Sequence, residues 1–223
     1  MKITRRRLVK ELGISGAVLS STGCLGSTAP NETPNGTNTT KETLKPAETP
    51  TTTVGWASEI PESPPSVSCS AASRPVTEPV DREEALAPRK YPGRPPSKPA
   101  GEPAAEYATT FELAYRQNAE MRANTDVSTD DGPDKYLIRF DISVQDSWVA
   151  AGPSDSAVVR LKYVGSGTVH PGMDFDYVTQ YVTYYIDSTR IVRAKTTQYD
   201  FAGADTLDPN PWTDGDLVAC FET

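Results

Sequence analysis

The sequence predicts an α+β fold over residues 103–223, with one long helix packed on a curved, four-stranded antiparallel sheet. Three patterns carry that expectation. Apolar residues recur every three or four positions after Pro103. They then alternate with polar ones between Ile138 and Val144, and a two-residue turn later joins two runs rich in Tyr, Val and Ile.

The helix is expected from Pro103 to about Asn124, with Tyr107, Phe111, Ala114, Tyr115 and Met121 on one face. The stretch from Thr125 to Asp134, containing Gly132-Pro133, breaks it. Tyr136, Ile138, Phe140, Ile142 and Val144 then alternate with Arg139, Asp141 and Ser143, the period of a strand with one wet face. Further strands are expected at Ala157–Val164, Phe175–Ile186 and Arg190–Tyr199, the last two joined by a tight turn at Asp187-Ser188. A helix followed by antiparallel strands implies two layers, the sheet curling around the helix.

The third of these strands has apolar bulk on both faces. Val178, Val182, Tyr184 and Ile186 share one parity, and Phe175, Tyr177, Tyr181 and Tyr185 the other. Only one face can meet the helix. The tyrosine face, with Tyr177, Tyr181, Tyr185 and the sequence neighbour Trp148, is therefore the binding candidate, as a ligand cleft or a partner interface. Coverage of that face by another part of the chain is the structural alternative.

The chain opens with Arg5, Arg6 and Arg7, a weakly apolar run from Leu12 to Leu19, and small residues leading to Cys24. An apolar stretch of about ten residues is too short for a bilayer-spanning helix, which needs about 20, so residues 1–23 read as an export signal. Thr4-Arg5-Arg6-Arg7-Leu8-Val9-Lys10 resembles the twin-arginine export motif, and Ser21-Thr22-Gly23-Cys24 resembles a lipobox, with Ser21 where that motif carries an aliphatic residue. These resemblances imply export, lipidation at Cys24 and anchoring on the extracellular face of the cell membrane. Combined with acidity, they resemble the surface lipoproteins of halophilic archaea, and Phe111-Glu112-Leu113-Ala114-Tyr115-Arg116-Gln117-Asn118 resembles a stretch recurring in uncharacterised members of that group. The helix-then-strands order resembles the cystatin/NTF2-like architecture.

The whole chain carries a net charge of −8, and residues 1–23 hold five basic side chains and one acidic, so the remainder carries −12. Such a charge repels phosphate, which argues against a nucleic-acid partner, and membrane attachment is expected only through the covalent lipid.

Residues 24–60 are expected to form a disordered tether, since Leu25 to about Thr53 are nearly all Thr, Pro, Asn, Ser, Gly and Glu. A flexible coil of ~40 residues spans on the order of 35 Å. Within it Asn31, Asn35 and Asn38 each begin an Asn-x-Thr glycosylation sequon, or reflect chance in an Asn/Thr-rich linker. Residues 61–102 are Pro-rich and expected to be extended, as a second linker or as a strap across the domain. With Cys24 assigned to the lipid, Cys69 and Cys220 are left flanking the folded region of an exported chain. A disulfide between them is expected, and would make residues 61–102 a strap; two free thiols are the alternative.

Catalytic signals are sparse. The single histidine, His170, lies in Val169-His170-Pro171-Gly172, a loop between strands, with no nucleophile elbow, His-Glu-x-x-His or phosphate-binding loop. Asp126, Asp130, Asp131 and Asp134, and then Asp205, Asp208, Asp214 and Asp216, offer hard oxygen ligands without calcium-loop spacing. No catalytic residue, metal site or cofactor is therefore nominated. The expectation is a non-enzymatic cell-surface module binding an extracellular ligand or protein. A hydrolase using paired carboxylates and a structural envelope component are the alternatives.

Overall fold

A computed structural model of the chain describes residues 54–125 and 133–221. The export segment with Arg5 and Arg6, the lipidation candidate Cys24, the sequons at Asn31, Asn35 and Asn38, and Asp126, Asp130 and Asp131 lie outside the described residues. Among the described residues no helix is long and apolar enough to cross a membrane.

Helix α1 runs Gly101–Asn124. Pro103 sits in its first turn, where a missing N–H costs no hydrogen bond, and Glu102 and Arg122 complement the dipole at either end. Its buried face carries Ala104, Ala108, Phe111, Ala114 and Met121, the small alanines letting the helix lie close on the sheet. Full burial of large side chains such as Phe111 and Met121 contributes roughly 1.5–3 kcal/mol each. Tyr107 and Tyr115 are only partly buried.

The sheet has six strands rather than four: β1 (Leu137–Gly152), β2 (Ser156–Val169), β3 (Met173–Asp176), β4 (Gln180–Ile186), β5 (Arg190–Thr197) and β6 (Asp216–Cys220). All pairs are antiparallel, in the order β1-β2-β4-β5-β6, with β3 on the far end of β2 beyond β4. The strand expected over Phe175–Ile186 is two, interrupted at residues 177–179. Strand β6 escapes the alternation test because it is short and Leu217, Val218 and Ala219 are buried consecutively.

Besides register shifts at Leu137/Arg139 and Ile191/Val192, two one-residue slips decide which side chains reach the face away from the helix. In β1 the register shifts between Val144 and Asp146. Phe140, Ile142 and Val144 point to the helix before it, whereas Val149 does so after it, and Trp148 faces away. Between β3 and β4 the pairing moves from Ser166↔Asp176 to Tyr163↔Gln180, one extra residue on the β3–β4 side. A single inserted residue turns every later side chain to the opposite face. Phe175 and Tyr177 thus lie on the helix side, over Gly167 and Gly165, while Tyr181 and Tyr185 lie on the other. The even-numbered residues Val182, Tyr184 and Ile186 pack under α1 as expected, but Val178, before the second slip completes, is exposed.

The chain before α1 covers what the helix does not. Residues 54–60 belong to the packed structure rather than to a tether: a 3₁₀ helix at Gly55–Glu59 buries Trp56 in a second core with Val54, Ala150, Val158, Tyr185, Val192, Leu207 and Leu217. The low-complexity text around Trp56 hid this anchor. Residues 61–100 have no regular structure beyond a short turn at Cys69–Ala71 and lie along the domain. Ser73 donates its N–H to Leu217 O (2.9 Å) and Leu86 to Leu137 O (2.8 Å), while the Asn118 amide exchanges hydrogen bonds with Arg89 N and O. Cys69 and Cys220 form a disulfide, their Cα atoms 5.6 Å apart.

Candidate functional site

The sheet face turned away from α1 carries a cleft of about 380 Å³, within the range of small-ligand sites. Its floor is read directly from the ladder. Asp146 stands opposite Lys162, and Lys162 opposite Tyr181; in the next row Trp148 stands opposite Arg160, and Arg160 opposite Thr183. Side chains directly opposite on one face are in contact range, so three neighbouring strands deliver Asp146, Trp148, Arg160, Lys162 and Tyr181 to one place. Both register slips are required: without them Trp148 and Tyr181 would face α1.

The walls come from outside the sheet. Val54, Gly55 and Trp56 close one side, and the loop after β5 supplies Phe201, Ala204 and Asp205. The Phe201 ring stacks on Tyr181, centroids 3.8 Å apart and planes 7° from parallel. Trp148, Lys162, Tyr181 and Phe201 are half-buried, a ring or stem against protein and the rest in the opening.

Arg160 organises this assembly. Fully buried, it lies 4.7 Å from the Trp56 ring centroid and 5.5 Å from that of Phe201. Its Nη1 donates to Ala204 O (3.2 Å), Nη2 to Thr206 O (2.6 Å) and Nε to Thr183 Oγ1 (3.5 Å). Burial pulls its pKa down to about 10, against the opposing pull of the Asp208 and Glu59 carboxylates, so it stays cationic at neutral pH. Glu59 accepts from Leu207 N (2.7 Å) and Asp208 from Ala202 N (2.7 Å), fixing both ends of the same loop. Asp146 and Lys162 form an ion pair of 3.6 Å at the rim.

Of the four aromatic residues nominated from sequence, Trp148 and Tyr181 meet in this cleft. Tyr185 shares the face but is fully buried, donating to Asp187 Oδ2 (3.0 Å) with Trp212 edge-on at 5.5 Å. Tyr177 lies across the sheet, its ring under the Arg116 guanidinium at 4.9 Å. Arg160, Lys162, Phe201, Asp146 and Trp56 are not among the residues nominated from sequence, and Asp205 is weighed there only as one of an acidic cluster for calcium. One signal was present: two cations at same-face positions, Arg160 and Lys162, inside the otherwise apolar run Ala157–Val164.

The other candidates do not assemble. His170 stacks on Tyr136 at 4.6 Å beside Glu84, on the turn between β2 and β3. Asp208 and Asp214 are engaged within their own loops and Asp205 faces the cleft. Among the described residues no group of three or more potential ligands gathers for a metal ion. Compared with protein-family models, with curated proteins and with solved structures, the chain matches none.

Proposed function

We propose that the chain is an exported, lipid-anchored cell-surface protein whose domain is a non-enzymatic binding module with its site in the Trp148–Tyr181 cleft. The observation that carries the binding reading is the convergence of Trp148, Tyr181 and Phe201 with Lys162, Asp146 and Asp205 in one half-open cleft. Aromatic surface left wet beside a few oriented polar groups is what small-ligand sites are made of. The anchor rests on the twin-arginine and lipobox resemblances around Arg5, Arg6 and Cys24, and the halophilic setting on the charge of −12 beyond residue 23.

A second reading, a hydrolase with Asp146 and Asp205 as acid and base, has both carboxylates at the cleft in its favour. Against it, both side chains are solvent-exposed and Asp146 is paired with Lys162, whereas a general acid at neutral pH needs burial to hold its proton.

Two measurements test the proposal. Substituting Cys24→Ser should move the protein from the membrane fraction to the medium; retention on the membrane contradicts the anchor. Ligand-observed NMR against a small-molecule library should find binders that Trp148→Ala loses, and a library that binds wild type and variant alike contradicts the cleft.

A further inference from the structure

Building on the binding reading above, the geometry points to a neutral saccharide as the ligand of the Trp148–Tyr181 cleft. The charge of the lining narrows the chemistry first. Two cations, Arg160 and Lys162, face two carboxylates, Asp146 and Asp205, so the lining is balanced. An ammonium ligand, which an aromatic enclosure would otherwise suit, finds the enclosure already taken by the Arg160 guanidinium between Trp56 and Phe201. An anionic ligand meets Asp146 and Asp205, and Arg160 already commits a donor from each of its three nitrogens to Ala204 O, Thr206 O and Thr183 Oγ1. A purely apolar ligand would desolvate the Lys162–Asp146 pair without replacing its hydrogen bonds.

What remains is a neutral molecule with an apolar ring face and hydroxyls around its edge. A pyranose presents axial C–H groups to an aromatic ring, and its neighbouring hydroxyls each donate and accept. The side-by-side ammonium and carboxylate of Lys162 and Asp146, 3.6 Å apart, offer the matching donor and acceptor. Trp148, half-buried and lining the cleft, is the stacking platform, since Phe201 already covers a face of Tyr181. The half-open mouth leaves room for a chain of sugars to continue outward. The ligand is thus a segment of a neutral polysaccharide or glycan rather than a free metabolite.

The test is calorimetric titration of the whole exported chain with four probes: a neutral trisaccharide series (glucose-, galactose- and N-acetylglucosamine-based), trigalacturonate, spermidine and phenol. A member of the neutral series should bind, with affinity little changed between low salt and about 1 M salt because no net charge is neutralised. Trp148→Ala should weaken it about tenfold or more. Lys162→Gln, at a half-exposed position where folding is not at stake, should weaken it several-fold. Neutral binding that ignores both substitutions overturns the assignment. Binding of spermidine, trigalacturonate or phenol alone, lost in Trp148→Ala, overturns the saccharide and leaves the cleft as the site. Silence from all four probes overturns the saccharide assignment and counts against the binding reading as well.

Discussion

Glu112 on α1 and Arg193 on β5 form a two-pronged ion pair in the centre of the domain, with Nη2 to Oε1 at 2.6 Å and Nε to Oε2 at 2.8 Å. Both are buried, and Tyr163 and Tyr184 donate their hydroxyls to the same carboxylate. Four hydrogen bonds from three strands therefore converge on one helical side chain, and Tyr115 lies under the guanidinium at 4.3 Å. This fixes the rotation of α1 on the sheet, because a carboxylate in an apolar layer must keep its partners.

Removing one partner of that pair strands a buried charge. Arg193→Met should cost about 3–5 kcal/mol, and Glu112→Leu combined with Arg193→Met should recover much of the loss by leaving neither charge behind. Thermal unfolding of the two variants against wild type measures this. Equal stability of single and double variants would show that the pair is not the source.

The same pair gives the protein a pH window. Burial pushes the Glu112 carboxyl up, but the charge and hydrogen bonds of Arg193, with those of Tyr163 and Tyr184, outweigh it and hold the carboxyl below 4.5. A depressed folded-state pKa stabilises fully above the unfolded value and is lost as pH falls through the folded one, so acid weakens the domain below about pH 4.5. At the other end, burial raises Tyr163 and Tyr184 well above 10.0 and places Tyr91 and Tyr185 at about 12. Raised values act in reverse, stabilising fully below 10 and fading as pH rises through them. Urea midpoints should be level between about pH 5 and 9 and fall on either side, with a shallower acid slope in Glu112→Gln.

The Cys69–Cys220 bridge closes a loop with a sequence separation of 151. Reduction should lower stability by about 4 to 5 kcal/mol on the chain-entropy account, and Cys69→Ser should reproduce it. Intact mass with alkylation, before and after reductant, checks the pairing. Two alkylated cysteines at positions 69 and 220 without reductant would contradict it.

Arg160 ties the loop after β5 to the sheet. Arg160→Met leaves Ala204 O without the Arg160 donor and Thr206 O with only the Asp208 N–H, a loss of about 1–3 kcal/mol that falls first on the loop. Hydrogen exchange should quicken across residues 201–207 while α1 stays protected. Uniform quickening throughout the domain would show a global rather than a local role.

Much of this architecture was legible in the sequence, for physical reasons. The helix and the first strand declare themselves because each buries one face against solvent on the other, and Asp187 marks its turn by accepting from the backbone N–H groups of Thr189 and Arg190. The slips at residue 145 and at 177–179 leave no local mark, since each side of a bulge keeps its own alternation. The tyrosines of one apparent face therefore separate onto two. Trp148 and Tyr181 could be named from sequence, but their meeting with Lys162 is a property of strand register, fixed by long-range pairing. Glu112 reads as a surface residue of an amphipathic helix, and its burial is explained by partners far along the chain, Tyr163, Tyr184 and Arg193, the last 81 positions later.

The cleft as binding site is tested most directly by mapping ¹⁵N amide shifts during titration with the neutral trisaccharides. Perturbations should gather at Trp148, Lys162, Tyr181 and Phe201 and vanish in Trp148→Ala. Shifts gathering on the helix side around Tyr177 and Arg116, or none at any saccharide concentration, would contradict the account.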